Sequence, residues 1–305
     1  MPGFPRPFLF TLLSSGGLLL GCQRGQQDAE RNPASTAESV TPAAVEALAR
    51  EYGPMLRGVW VKEAYMAEIA RTRSPLQAAA ALQGIAALRI NPATRSADSL
   101  RVALNLNNHE AGELTVYFRP GAAEKALPTN YRNAEKPDDA FELAYDKRLA
   151  DTTLLLNRYS KGGRQLASER YVRLQRNPTA AGTEASAVQR FVHQQLLAGT
   201  YAATDSAGRR NQVRLGADGS IRGLGRYRSY QAATDFAETH ANNLDYVLLD
   251  ANTPRRRRLA YESTPDTVRL YSLRLQGAEL RRGRLLYTLV RPRPTVAAGQ
   301  KAPLP

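Results

Sequence analysis

From residue 100 onward the chain alternates. In Leu100-Arg101-Val102-Ala103-Leu104-Asn105-Leu106 an apolar side chain occupies every second position. Leu114, Val116 and Phe118 resume that rhythm after the polar turn Asn107-Asn108-His109-Glu110-Ala111-Gly112. A period of two sends successive side chains to opposite faces, so both runs predict half-buried strands. Short strand-like segments then follow at 196–203, 211–216, 220–229, 244–249, 256–262, 267–275 and 284–291. Turn residues such as Ala217-Asp218-Gly219-Ser220 separate them. Many short strands with close turns and no repeating helix predict a mainly β chain built as antiparallel barrels. Gly223-Leu224-Gly225, inside the third of these segments, predicts a bulge or bend.

One stretch breaks the rhythm. After Gly58-Val59-Trp60, residues Tyr65, Ile69 and Ala70 fall at helical spacing. Ser74-Pro75-Leu76-Gln77 then supplies an N-cap, a proline at the first helical position and a capping-box glutamine, in order. The alanine-rich run stops at Gly84, a C-terminal signal, and a strand is expected from Ile85. A helix–turn–helix is thus predicted after the first strand of the first half. At the matching place the second half has only a turn, Ala202 through Gly208.

The halves read as copies of one another. Leu56-Arg57-Gly58-Val59-Trp60 opens the first and Leu197-Ala198-Gly199-Thr200-Tyr201 the second. Leu143-Ala144-Tyr145 with Asp151-Thr152 answers to Leu259-Ala260-Tyr261 with Asp266-Thr267. Gly163 and Gly277 come next, and Tyr171 and Tyr287 mark the closing strands. An ordered set of matches points to duplication. The organisation expected is a leader (1–21), a disordered tether (22–50), a first barrel with the helical insertion (51–177), a linker (178–188), a second barrel (189–293) and a disordered tail (294–305).

The apolar run of the leader is too short to cross a bilayer and ends at Leu19-Leu20-Gly21-Cys22. These four residues resemble the lipobox of bacterial lipoproteins. The resemblance implies cleavage before Cys22 and acylation of its sulfur and amine. Gln23, in place of aspartate, implies delivery to the outer membrane, with the periplasmic or the exterior face left open. Cys22 is the single cysteine of the 305 residues, which excludes internal disulfides and cysteine–metal sites. Several acyl chains on one residue give stable attachment, so a membrane is the first partner expected.

Charge narrows the partners further. The formal net charge is +14, and only six of the 42 basic residues are lysine. The leader and the scatter of the arginines argue against nucleic acid. An anionic envelope surface fits better. The densest run, Arg255-Arg256-Arg257-Arg258, reads as a solvated loop and strand edge.

A Gly-x-Trp strand heading an antiparallel barrel of about a hundred residues resembles the lipocalins and the wider calycin group. Gly58-Val59-Trp60 carries the match, and Gly199-Thr200-Tyr201 substitutes tyrosine. The resemblance implies that Trp60 and Tyr201 plug barrel ends and stack on Arg173 and Arg291 from the last strands. The helical pair resembles the lid of fatty-acid-binding proteins, which belong to the same group. A small apolar ligand would then sit inside the first barrel, near Tyr65, Ile69 and Tyr171. In those proteins an Arg and a Tyr hold the ligand carboxylate; here Tyr171-Val172-Arg173 has the order reversed.

Catalytic chemistry finds little support. His109, His193 and His240 have no second histidine or cysteine at ligand spacing, so no metal is expected. No nucleophile elbow, phosphate loop or dinucleotide fingerprint occurs, and no cofactor is expected. His109 and Glu110 form the one polar turn cluster with functional promise. Asp151 and Asp266 each precede a threonine at a strand start, as turn residues do. The chain is therefore expected to be a non-enzymatic, lipid-anchored envelope protein. Hollow barrels would make it a carrier of an apolar molecule, and filled barrels a scaffold or interaction module. A hydrolase of envelope glycans or lipids is the remote third.

Overall fold

The computed structural model describes residues 40–148, 151–178, 184–236 and 243–292. The leader, Cys22, His240 and the C-terminal tail from 293 lie outside the described residues.

The first half forms an eight-stranded antiparallel sheet. Its strands are β1 (Gly58–Lys62), β2 (Ile85–Arg95), β3 (Ser99–Leu106), β4 (Glu110–Tyr117), β5 (Ala126–Pro128), β6 (Ala140–Arg148), β7 (Asp151–Tyr159) and β8 (Gln165–Gln175). They lie in the order β4-β3-β2-β1-β8-β7-β6-β5. The first strand pairs with both the second and the last, so the meander bends round on itself. The seam between β4 and β5 is a single bridge, Val116–Thr129. Asn130 reinforces it: its N–H donates to Thr115 O at 3.0 Å, and its Oδ1 accepts from Thr115 N at 2.7 Å. The result is a nearly closed barrel.

The second half repeats the scheme with β9 (Gly199–Asp205), β10 (Arg210–Leu215), β11 (Ile221–Arg222), β12 (Tyr230–Ala232), β13 (Tyr246–Leu249), β14 (Arg257–Ser263), β15 (Thr267–Gln276) and β16 (Glu279–Val290). The order is β11-β10-β9-β16-β15-β14-β13-β12. β11 and β12 meet at the bridge Ser220–Ser229. The expected single strand 220–229 is thus broken. At Gly223 the backbone has φ +84°, and a Cβ there would run into Gln212 O. β14 is flanked by β13 and β15. The arginine run therefore enters an interior strand, where an edge had been expected.

Two helical segments occupy places assigned to tether and linker. Helix α1 spans Pro42–Leu56; Thr41 Oγ1 accepts from Ala44 N, and Pro42 takes the first position. Its buried seam is Val45, Ala49, Tyr52 and Leu56, a helical period that straddles the boundary drawn at residue 50. Before β9, α4 (Glu184–Val192) runs into a π-helical turn, His193–Leu197, where a linker had been placed to 188 and a strand from 196. Each sheet is thus entered from a helix.

The helical insertion forms as its signals require. It comprises α2 (Glu63–Thr72), α3 (Pro75–Ala78) and a 3-10 turn, Ala79–Leu82. Ser74 Oγ accepts from Gln77 N at 3.1 Å. Its destination differs from the expectation of a lid over the first barrel. Tyr65, Ile69, Ala78 and Leu82 belong to the apolar cluster of the second sheet, with Leu196, Tyr201, Val247, Leu259 and Tyr261. Polar contacts reach both halves: Arg170 Nε donates to Glu63 Oε2 at 2.6 Å and Lys62 Nζ donates to Gln83 O in the first, and two more reach the second. Leu76 N donates to Asp245 Oδ1 at 2.9 Å, and Arg73 Nη2 donates to Ser263 Oγ at 2.9 Å. Val61, Ala86 and Ala87 of β1 and β2 belong to the same cluster, so the insertion is packed between its own sheet and the second. The first sheet keeps its own cluster, built around Trp60, Leu88, Ile90, Leu104, Leu143, Leu154 and Tyr171.

His193, only 2% exposed, is a structural member of the second core. Its Nε2 accepts from Ala232 N at 3.0 Å, and its ring lies 4.3 Å from that of Tyr230. Burial lowers its pKa from 6.5 to about 4, against the opposing pull of Ala217 O and Asp218. Below pH ~6.5 the unfolded chain takes up a proton that the folded chain refuses until pH ~4. Stability therefore falls as pH drops through that window, by about 3 kcal/mol in total. Denaturant titrations of the parent and of His193→Gln across this window should show the steeper loss in the parent; equal slopes would refute the assignment.

Candidate functional site

The structure brings together the two aromatic–arginine pairs named from the sequence. The Arg173 guanidinium lies 4.4 Å from the Trp60 ring centroid, and that of Arg291 lies 4.9 Å from Tyr201. The two pairs are anchored alike. Trp60 Nε1 donates to Leu56 O at 2.7 Å, and Tyr201 Oη donates to Leu197 O at 2.6 Å. Arg173 Nη2 donates to Met55 O at 2.5 Å, and Arg291 Nη2 to Ala198 O at 2.9 Å. Each arginine thus ties the last strand to the end of the helical segment that precedes the first. The glycine two residues before each ring has a steric reason. A Cβ on Gly58 would stand 2.6 Å from Gln175 O and 3.1 Å from Arg173 Cδ, and one on Gly199 would collide with Arg291. These carbonyl anchors were beyond the sequence reading because the preceding helices were.

The three residues named for an apolar ligand do not share a site. Tyr65 and Ile69 lie in the apolar cluster that reaches into the second sheet, and Tyr171 in the separate cluster of the first. All three are fully buried. Tyr171 Oη is occupied, 2.8 Å from both Ile85 O and Glu169 Oε2. Glu169 also pairs with buried Lys62 at 3.2 Å. The hydroxyls of Tyr65 and Tyr261 are buried without a hydrogen-bond partner. Burial first, and the nearby Asp245 carboxylate second, raise both phenols well above their ordinary range. Burial also raises Asp245 itself, against the hydrogen bonds from Ser74 and Leu76 N.

The polar cluster at His109 sits on the three-residue hairpin loop, Asn107-Asn108-His109, that joins β3 to β4. Asn107 and Asn108 have φ of 50° and 66°, and His109 N donates to Leu106 O at 3.1 Å. Asparagine tolerates that left-handed backbone, which accounts for both residues. His109 Nε2 stands 3.1 Å from Glu110 Oε1, and Nδ1 stands 3.0 Å from Asn107 O and 3.8 Å from Asp235 Oδ1. Asn108 Nδ2 donates to Thr234 O at 2.7 Å, so the turn bridges the two halves. Beside it lies a cleft of about 840 Å³ that includes Leu82, Asn108, His109, Tyr131, Glu135 and Phe236. Asn108 Oδ1 is buried there without a partner. Tyr131 and Phe236 were not foreseen, since they come from separate loops that only folding brings near the turn.

Among the described residues no group of three or more acidic, histidine or cysteine side chains could hold a metal ion. No helix among them is long and apolar enough to cross a membrane. A second groove, of about 630 Å³, runs past the Trp60 end with Arg50, Arg57, Arg173 and Arg176 on its walls. No protein-family model, curated protein or solved structure matches this chain.

Proposed function

We propose that this chain is a lipid-anchored protein of the bacterial cell envelope, delivered to the outer membrane. In this reading two calycin-like barrels act as one rigid interaction module and do not carry an apolar molecule. The anchor rests on Leu19-Leu20-Gly21-Cys22. The packed-module reading rests on one observation: the side chains named for a ligand are fully inaccessible, Tyr65 and Ile69 in one apolar cluster and Tyr171 in the other.

Labelled palmitate should enter the parent chain in a bacterial host and be absent from Cys22→Ser. An unlabelled parent would refute the anchor. Native mass spectrometry of the Cys22→Ser chain, purified without detergent, should show the protein mass alone. A stoichiometric apolar molecule on it would refute the packed module and favour the carrier.

A further inference from the structure

The cleft on the outer side of β14–β16 has no carboxylate on its walls. Four arginines, Arg256, Arg257, Arg258 and Arg274, surround about 420 Å³ together with Ser272 and three leucines, Leu273, Leu275 and Leu280. None of the four forms an ion pair among the described residues. Acids nearby are spent elsewhere: Glu279 on Arg281 at 2.8 Å, and Glu262 on Arg282. Arg274 also stands directly opposite Arg281 across the hairpin. Like charges at facing positions destabilise a sheet. A fold that keeps this arrangement presents an unneutralised field to whatever approaches.

Apolar exposure coincides with that charge. Leu275, on the wall of the cleft beside the hairpin turn, is 67% exposed, the most exposed large hydrophobic among the described residues. A nucleic acid would use the cations and leave Leu275 in water. An anionic bilayer uses both, because guanidinium groups pair bidentately with phosphate and a leucine side chain enters the acyl boundary.

We infer that this cleft and the Leu275 tip form a docking surface for the anionic phosphate headgroups of a lipid bilayer, a contact additional to any acyl chain on Cys22. The inference rests on the envelope reading for its setting, but its test does not require acylation. Palmitate labelling tests the anchor, and vesicle flotation of the unacylated chain tests the surface.

The full chain carrying Cys22→Ser should float with vesicles of phosphatidylglycerol and phosphatidylcholine, sink with phosphatidylcholine alone, and be released by salt. Arg257→Gln combined with Arg274→Gln should weaken flotation about tenfold or more. Leu275→Asp should weaken it independently. These side chains are on the surface, and unchanged melting would verify the fold of each variant. Arg50→Gln with Arg176→Gln, in the groove beside Trp60, should float like the parent. Equal binding to neutral vesicles would overturn the inference. So would no flotation, no effect of the β14–β15 substitutions, an equal loss from the Arg50 and Arg176 pair, or retention on heparin without flotation.

Discussion

Ile69→Asp will break the apolar cluster by which the insertion joins the two sheets, with the heavier loss in the second sheet, whose side chains make up most of that cluster. The side chain is fully buried in the cluster with Tyr201, Val247, Leu259 and Tyr261. A carboxylate placed there has no cation to pair with inside the apolar cluster, and the isoleucine contacts are lost as well. The expected cost is at least about 4 kcal/mol. Hydrogen exchange provides the reading. Amides of β9, β13, β14 and β15 should lose protection, and those of β3 and β4, whose apolar side chains lie in the other cluster, should keep most of theirs. Loss confined to β1–β8 would mean that the insertion serves its own half after all.

Trp60→Ala carries the second large effect, on the first sheet. The substitution removes a fully buried ring, the donor to Leu56 O and the surface on which Arg173 rests. A cost of about 3–5 kcal/mol is expected from the lost burial and the cavity left behind. Trp60→Phe should cost less, since it keeps most of the packing and loses chiefly the hydrogen bond and the stronger cation–π face. Thermal melting followed by circular dichroism would read both, and an alanine variant that melts like the parent would remove Trp60 from the closure. Because Tyr201 and Arg291 repeat the geometry, Arg291→Met should loosen the second sheet as Arg173→Met loosens the first.

Much of the candidate closure was readable because its carriers are local and repeated. Gly58-Val59-Trp60 and Gly199-Thr200-Tyr201 stand at the same place in each copy, and Arg173 and Arg291 near the end of each. The carbonyls that hold them were hidden with α1, whose seam was cut by a boundary placed through the middle of its period. The π-helical turn His193–Leu197 was hidden differently: its apolar Leu196-Leu197 reads equally well as the start of a strand. The polar turn was found from its residues. The cleft beside it was not, since Tyr131 and Phe236 lie far from His109 in the chain.

What the sequence determined by itself was everything carried by short-range pattern. Alternation placed β3 and β4 and most strands of the second half, Ser74-Pro75-Leu76-Gln77 placed the second helix of the insertion, and duplication placed the two glycine–aromatic openings, while their arginine partners came from the lipocalin resemblance. Tertiary structure alone decided which core each apolar face enters. It placed Tyr65 and Ile69 in the cluster shared with the second sheet, kept Tyr171 in that of the first, and gathered Arg257 and Arg274 into one cleft with no acid on its walls. The reason is physical: helix and strand signals are written in neighbours a few residues apart. Burial is non-directional, and an apolar stripe records that it must be covered without recording by what.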